Sequence, residues 1–179
     1  MSRIKIHDKE FELSISNAEI NNEIERVAVE INRDYAGKRP LLIGILNGSF
    51  MFASELMLNL NIECEITFVK FSSYDGAATT GVIRELIGLT DSVEGRDVII
   101  VEDIVDTGYT MQHILKSLAV QNPASVQIAT LFSKPSSLKV PIDIKYCAFN
   151  ITDRFIVGFG LDYDGLGRNL PDVYDIVLD

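Results

Sequence analysis

Three carboxylates stand close together directly after an apolar segment in the middle of the chain. Glu102, Asp103 and Asp106 follow the run Asp97-Val-Ile-Ile-Val101, which has the unbroken apolar character of a buried strand. Carboxylates at this spacing repel one another unless cations or hydroxyl donors compensate their charge. Because Mg²⁺ takes oxygen ligands and sugars present hydroxyls, the pattern predicts a site for both. A solvated acidic turn is the alternative interpretation.

The residues that follow have the chemistry of an anion-binding loop. Asp106 leads into Thr107-Gly-Tyr-Thr110, where two hydroxyls flank Gly108 and the glycine permits close approach of the backbone to a ligand. A helical pattern continues from Thr110 to Ala119, and the free N–H groups of a helix N-terminus favour phosphate. An acidic patch therefore adjoins a phosphate site, and a phosphorylated ribose is one ligand that needs both environments.

The elements that position these residues begin with two helices separated by a strand. Ser16 and Glu19 form a capping-box pattern. Apolar residues then recur with helical spacing until Gly37, at Ile20, Ile24, Val27, Ala28 and Ile31. The apolar run over 41–46 predicts a strand buried on both faces. The helix predicted over 50–60 is apolar nearly all round, which makes it a candidate subunit interface.

Strands and helices alternate along the remainder of the chain. Further strands are predicted over 62–71, 97–101, 126–132, 145–149 and 155–159. This alternation predicts an α/β fold with a mostly parallel sheet. Ligands of such sheets bind beyond the carboxyl ends of the strands, which here are Leu46, Val101, Phe132 and Phe149.

Composition excludes several classes of protein. A chain of 179 residues with 47% hydrophobic and 23% charged residues is typical of one globular domain. Its net charge of -10 disfavours binding to nucleic acid or to anionic membranes. No apolar run is long enough to span a membrane and no leader is apparent, so the chain is predicted to be cytoplasmic.

The reactive side chains also argue against two kinds of site. Cys64 and Cys147 each stand alone in apolar surroundings, and we interpret them as reduced packing residues. His7 and His113 are too few and too far apart for a histidine-based zinc site.

The segment Glu102-Asp-Ile-Val-Asp-Thr-Gly108 resembles the phosphoribosyl-pyrophosphate motif of type I phosphoribosyltransferases, in the form of their hypoxanthine-guanine branch. Asp106 distinguishes that branch from the orotate and adenine branches. The resemblance extends over almost the whole chain. It implies an α/β fold whose mostly parallel, twisted sheet is flanked by helices. It also implies a single domain over 1–179, with a core over about 16–150 and a small hood formed by 1–15 and 151–179.

The same resemblance assigns roles to the central motif. Glu102 and Asp103 are expected to bind the ribose hydroxyls and Mg²⁺, and Asp106 is expected to face purine N7 as the catalytic proton acceptor. The 5-phosphate is assigned to Thr107, Gly108, Tyr109 and Thr110. For Tyr109 the backbone N–H, and not the phenol, is the expected donor.

The turn after the first predicted core strand resembles the family's pyrophosphate-binding turn. The resemblance places Asn47 and Gly48 against pyrophosphate and implies a cis peptide bond between Leu46 and Asn47. Many relatives carry a basic residue where Asn47 stands, so backbone N–H groups are the donors expected here. Judged without the family, Asn-Gly indicates a simple turn.

The purine site is expected to draw on later segments. Lys134 matches the lysine that donates to the purine 6-oxo group, Phe155 would stack on the base, and Ile156 would offer backbone groups to its edge. Asp162 belongs to the same base-binding segment, residues 153–168, and is expected to bind Mg²⁺ through water. Arg168, at the end of that segment, is expected to contact pyrophosphate. Ser73 and Tyr74 match the start of a loop that closes over the reacting centre. Without the family, these residues would be core residues and solvated turns.

The resemblance implies a purine-salvage enzyme that transfers a 5-phosphoribosyl group to hypoxanthine, and also to guanine, with Mg²⁺ as cofactor. The preference among hypoxanthine, guanine and xanthine stays open. A homodimer or homotetramer is expected, without nucleic-acid or membrane partners. One alternative is a non-catalytic nucleotide-sensing regulator on the same fold, which the scattered basic residues disfavour. A dinucleotide-dependent oxidoreductase is another, but no G-x-G-x-x-G turn follows any predicted strand.

Overall fold

The computed structural model describes residues 2–73 and 83–178, which form a large sheet, a small sheet and three helices. The large sheet has the order β5-β4-β3-β6-β7-β8. Its strands are β3 (Leu41–Leu46), β4 (Glu65–Ser73), β5 (Ile83–Ile87), β6 (Asp97–Val105), β7 (Ser125–Ser133) and β8 (Tyr146–Asn150). All neighbours pair in parallel except β5, which is antiparallel to β4. The predicted α/β fold is confirmed.

Helices cover both faces of this sheet. Helix α1 spans Asn17–Asp34, α2 spans Phe50–Asn59 and α3 spans Tyr109–Ala119. Side chains of α1 and α2 pack in one cluster with Leu42, Ile99 and Val101, whereas α3 packs on the opposite face with Leu41, Ile43 and Ile100. Alternate residues of one strand thus enter opposite cores, which is why these strands are apolar throughout.

The predicted first helix agrees with the structure in detail. The Ser16 hydroxyl accepts a hydrogen bond from Glu19 N at 3.3 Å, and Ser16 N donates to Glu19 Oε2 at 2.9 Å. The residues predicted to face the core are the buried residues of α1. Local hydrogen bonding therefore marks the start of this helix in the sequence, and Asn17 N adds a distant hydrogen bond by donating to Asp172 Oδ1 at 2.7 Å.

The small sheet joins the two ends of the described chain. It has the order β1-β2-β10-β9 and is antiparallel. Its strands are β1 (Arg3–Ile6), β2 (Lys9–Ile15), β9 (Ile156–Val157) and β10 (Val173–Ile176). We call this sheet, together with residues 151–155 and the loops between β9 and β10, the hood.

Three strand predictions need correction. The strand predicted over 155–159 is only the two-residue β9, because Gly158 and Phe159 have φ of +104° and +46° and leave the extended conformation. The strand predicted over 97–101 continues to Val105, since β6 keeps its pairing with β7 up to Val105↔Ser133. β4 begins at Glu65 instead of residue 62.

Helix α2 is less buried than its composition suggests. Phe52, Ala53 and Leu56 are buried, but Phe50 is 42% exposed and Leu58 is 77% exposed. Among the described residues, no helix is both long enough and apolar enough to cross a membrane.

Candidate active site

An acidic pair lies inside β6, one strand from the turn after β3. Glu102 is buried at 7% exposure, and Asp103 N donates to Glu102 Oε1 at 3.1 Å. Ile104 N donates to Asp103 Oδ1 at 2.9 Å. Burial raises the pKa of Glu102 well above its ordinary value, and the neighbouring charge of Asp103 adds to this effect. Burial also raises the pKa of Asp103. The pair would therefore gain from a bound cation or from hydroxyl donors.

The loop after β6 forms a cavity of about 210 Å³ lined by residues between Glu102 and Met111. Gly108, at the N-terminus of α3, has a left-handed φ of +85°. The side chains of Leu138, Val140 and Ile142 lie directly behind it and leave little room for a Cβ atom. Lys139 N donates to Thr107 O at 3.0 Å, which ties the loop to the segment after β7. The start of α3 therefore borders the cavity in a well-supported loop, and the free N–H groups of a helix N-terminus favour an anion there.

The turn after β3 touches the acidic pair. The peptide bond between Leu46 and Asn47 is cis, as predicted. Asn47 is exposed and Gly48 is buried. A Cβ atom on Gly48 would overlap the Asp103 carboxylate, and a Cβ atom on Gly160 would overlap the carbonyl oxygen of Gly48. Glycine at both positions lets the turn, the acidic pair and the hood meet.

Lys134 lies between the central motif and the hood. It follows β7, and its N–H donates to Val105 O at 3.0 Å. Its side chain is 9% exposed, with Nζ at 3.6 Å from Asp106 Oδ2 and 3.4 Å from Asp153 Oδ1. The residue predicted to accept a proton is thus paired with the residue predicted to read the purine.

The hood contributes an exposed aromatic ring and a buried backbone edge. Phe155 is 45% exposed, and its ring makes an edge-to-face contact with Tyr163 at a centroid distance of 5.7 Å. Ile156 is buried in β9, opposite Asp175 of β10. An exposed ring supported at its edge leaves a face available for stacking.

Arg168 and Asp162 form a second polar unit in the hood. Arg168 Nη1 donates to Gly160 O, and Arg168 Nη2 pairs with Asp162 Oδ1, both at 2.7 Å. The second carboxylate oxygen of Asp162 accepts from Gly165 N at 2.8 Å.

Throughout residues 2–73 and 83–178, no three His, Cys, Asp or Glu side chains cluster in a way that could hold a metal ion.

Comparison with known proteins assigns the chain to a family. The sequence profile described as the phosphoribosyl transferase domain matches residues 16–164. The chain belongs to the phosphoribosyltransferase family. It is 43% identical over 159 residues to a hypoxanthine-guanine phosphoribosyltransferase of Streptococcus mutans, covering 88% of each chain.

Two solved structures of phosphoribosyltransferases share the fold. A hypoxanthine-guanine phosphoribosyltransferase from Bacillus anthracis is 34% identical, with a TM-score of 0.89 and coverage of 93% of this chain and 98% of that one. A hypoxanthine phosphoribosyltransferase from Staphylococcus aureus is 37% identical, with a TM-score of 0.89 and coverage of 93% and 91%. The predicted family and enzyme class are confirmed, and these relatives give no support to the regulator alternative.

In this phosphoribosyltransferase, most predicted site residues fall into neighbouring groups. Gly48 contacts Asp103, Lys134 pairs with Asp106, and Arg168 pairs with Asp162. Ser73 ends β4. Tyr74 lies outside the described residues.

Sequence reasoning missed Asp153, which shares the Lys134 ammonium with Asp106. A signal was present, because Asp153 follows β8 closely and polar residues beyond the strand ends of such a sheet are candidates for function.

Proposed function

We propose that this chain transfers the 5-phosphoribosyl group of 5-phosphoribosyl-1-pyrophosphate to hypoxanthine or guanine, which yields IMP or GMP and pyrophosphate. The observation that carries the proposal is the Lys134–Asp106 pair at 3.6 Å, in which Asp106 directly precedes the proposed phosphate loop, residues 107–110. This arrangement sets a donor for a 6-oxo group beside a proton acceptor and beside an anion site.

The ribose and its 5-phosphate fit the two halves of the central motif. Thr107, Gly108, Tyr109 and Thr110 offer hydroxyls and N–H groups to the phosphate, and the 54% exposed phenol of Tyr109 needs no role. Glu102 and Asp103 accept hydrogen bonds from the ribose hydroxyls. Asn47 and Gly48 offer backbone N–H groups to pyrophosphate, and Arg168 is its cationic partner.

Transfer exchanges one bond at the anomeric carbon for another. Purine N9 attacks that carbon, the bond to the pyrophosphate oxygen breaks, and the electron pair leaves with pyrophosphate. The purine becomes more acidic as its ring gives up electron density, and Asp106 accepts the proton from N7. The ionised carboxylate also stabilises the positive charge that develops near the ribose.

Mg²⁺ fits the donor chemistry of the acidic pair. Two buried carboxylates with raised pKa values favour a cation in contact with them, and carboxylate oxygens are ligands that Mg²⁺ takes. Glu102 and Asp103 would hold the ion on the ribose side, and Asp162 would hold one through water. When bound, Mg²⁺ neutralises the departing pyrophosphate.

Base selection follows from the hydrogen-bonding capacity of Lys134. An ammonium only donates, which suits O6 of hypoxanthine or guanine, whereas adenine presents an amino donor at that position. Phe155 stacks on the base, and Ile156 presents backbone groups to its edge.

The predicted oligomer, the cytoplasmic location and the loop beginning at Ser73 and Tyr74 remain predictions.

A direct assay tests the proposal. The purified chain is incubated with 5-phosphoribosyl-1-pyrophosphate, Mg²⁺ and hypoxanthine, guanine, xanthine or adenine, and nucleotide and pyrophosphate are quantified by chromatography. With hypoxanthine or guanine, we expect one pyrophosphate for each IMP or GMP formed. With adenine, we expect negligible AMP. Absence of nucleotide with every 6-oxopurine, or AMP as the main product, would refute the proposal.

A further inference from the structure

Asp153 is the second carboxylate at the Lys134 ammonium. The contact between Lys134 Nζ and Asp153 Oδ1, at 3.4 Å, has hydrogen-bond geometry, and the contact to Asp106 Oδ2 is an ion pair at 3.6 Å. The Lys134 side chain is 9% exposed, whereas those of Asp106 and Asp153 are 48% and 72% exposed. The ammonium is therefore the most buried of the three groups, and it contacts two more exposed anions.

Backbone hydrogen bonds hold Asp153 and Lys134 in place. Ile151 N donates to Ser133 O at 2.9 Å, so the segment that carries Asp153 stays beside the end of β7. Arg154, the neighbouring cation, pairs with Asp175 of the hood at 3.1 Å and leaves Asp153 to Lys134. The geometry of the ion pair is thus set by the fold.

The three N–H donors of Lys134 suggest how its partners are used. Under the proposed function, one donor serves purine O6 and Asp106 takes up a proton during transfer. Protonated Asp106 no longer neutralises the ammonium. Across the described residues, no third carboxylate lies within 4.0 Å of Lys134 Nζ, so Asp153 is the anion that keeps its charge there.

We propose that Asp153 is a positioning residue, which holds the Lys134 ammonium toward purine O6 while Asp106 accepts the proton. This inference rests on the proposed function and deepens it. Without Asp153, Lys134 would pair with Asp106 alone. The ammonium would then move away from O6, and the charge of the proton acceptor would be masked.

The test compares substitutions at Asp153 that differ only in charge or length. Asp153→Asn keeps the shape and a hydrogen-bond acceptor but removes the charge. We expect the KM for hypoxanthine to rise about tenfold, the loss expected when a hydrogen bond between two charged groups becomes one to a neutral amide. The KM for 5-phosphoribosyl-1-pyrophosphate is expected to stay unchanged. Asp153→Glu restores the charge and should recover most of the affinity. Asp143→Asn, at an exposed carboxylate of the loop before β8, is the matched control.

A double-mutant cycle decides whether Asp153 acts through Lys134. In the Lys134→Met background, Asp153→Asn should cause no further change, because no ammonium remains to be positioned. The same tenfold rise in that background, or an Asp153→Asn enzyme that behaves like Asp143→Asn, would overturn the inference. The Kd for IMP, measured by calorimetry on the same variants, gives an answer independent of turnover. If the wild type binds IMP and Asp153→Asn weakens that binding, but the wild type makes no IMP from its substrates, the proposed function alone would be overturned.

Discussion

Replacing Gly108 with alanine tests the phosphate loop with one added methyl group. Gly108 has a φ of +85°, a conformation that costs an L-residue about 1–2 kcal/mol. The added Cβ would also lie 2.9 Å from Ile142 Cγ1 and 3.0 Å from Val140 Cγ2. Ordinary carbon contacts are about 3.5–4.0 Å, so the loop must shift by roughly 0.5–1 Å to relieve the overlap. That shift moves the N–H groups that are proposed to bind the 5-phosphate.

The expected effect is a rise in the KM for 5-phosphoribosyl-1-pyrophosphate. Because a displacement of about 1 Å costs about 10²-fold, we expect a rise of about 10- to 100-fold for Gly108→Ala. Gly37→Ala is the control, since Gly37 has a similar φ of +73° but no atom within 4 Å of the added Cβ. Steady-state kinetics and urea unfolding are measured for both variants. If Gly108→Ala loses stability like Gly37→Ala but keeps the wild-type KM, the proposed phosphate loop is wrong.

Three further substitutions test other parts of the site. Asp106→Asn should lower kcat by about 10²–10⁴ without weakening the binding of 5-phosphoribosyl-1-pyrophosphate. An unchanged kcat with hypoxanthine would show that Asp106 is not the proton acceptor. Lys134→Met should raise the KM for hypoxanthine and narrow the ratio of kcat/KM between hypoxanthine and adenine; an unchanged ratio would locate the reading of the 6-position elsewhere. Burial raises the pKa of Glu102, so its ionisation destabilises the ligand-free fold as the pH rises through that raised pKa. Glu102→Gln should therefore melt above the wild type at about pH 9 and lose that advantage near pH 5 in Mg²⁺-free buffer; a constant difference in Tm would contradict this reasoning.

The sequence predicted those elements whose signals are local. The Ser16–Glu19 capping box and the apolar face from Ile20 to Ile31 define α1, and unbroken apolar runs define β3 and β6. The end of β6 was harder to predict, because Glu102 and Asp103 look like turn residues. Parallel pairing with β7 keeps them in the strand. Long-range pairing of this kind leaves no local signal.

The candidate site was predicted largely through the family motif, residue by residue. Its relations across space were not predicted. Asp153 approaches Lys134 only because β7 and β8 are neighbours in the sheet, and Leu138 reaches Gly108 only because the segment after β7 returns beneath the phosphate loop. Those contacts depend on chain topology, which residue spacing does not encode.

The strand order of the hood also implies an order of folding. β10 lies between β2 and β9, so Ile156 gains its partner Asp175 only when β10 has joined the sheet. Pairing of Ile15 with Val173 closes a loop that contains the whole large sheet, and closing such a long loop is entropically unfavourable until that sheet is compact. The hood, with the proposed stacking residue Phe155, is therefore expected to assemble last. During refolding, we expect secondary structure of the large sheet to return before the capacity to hold a base.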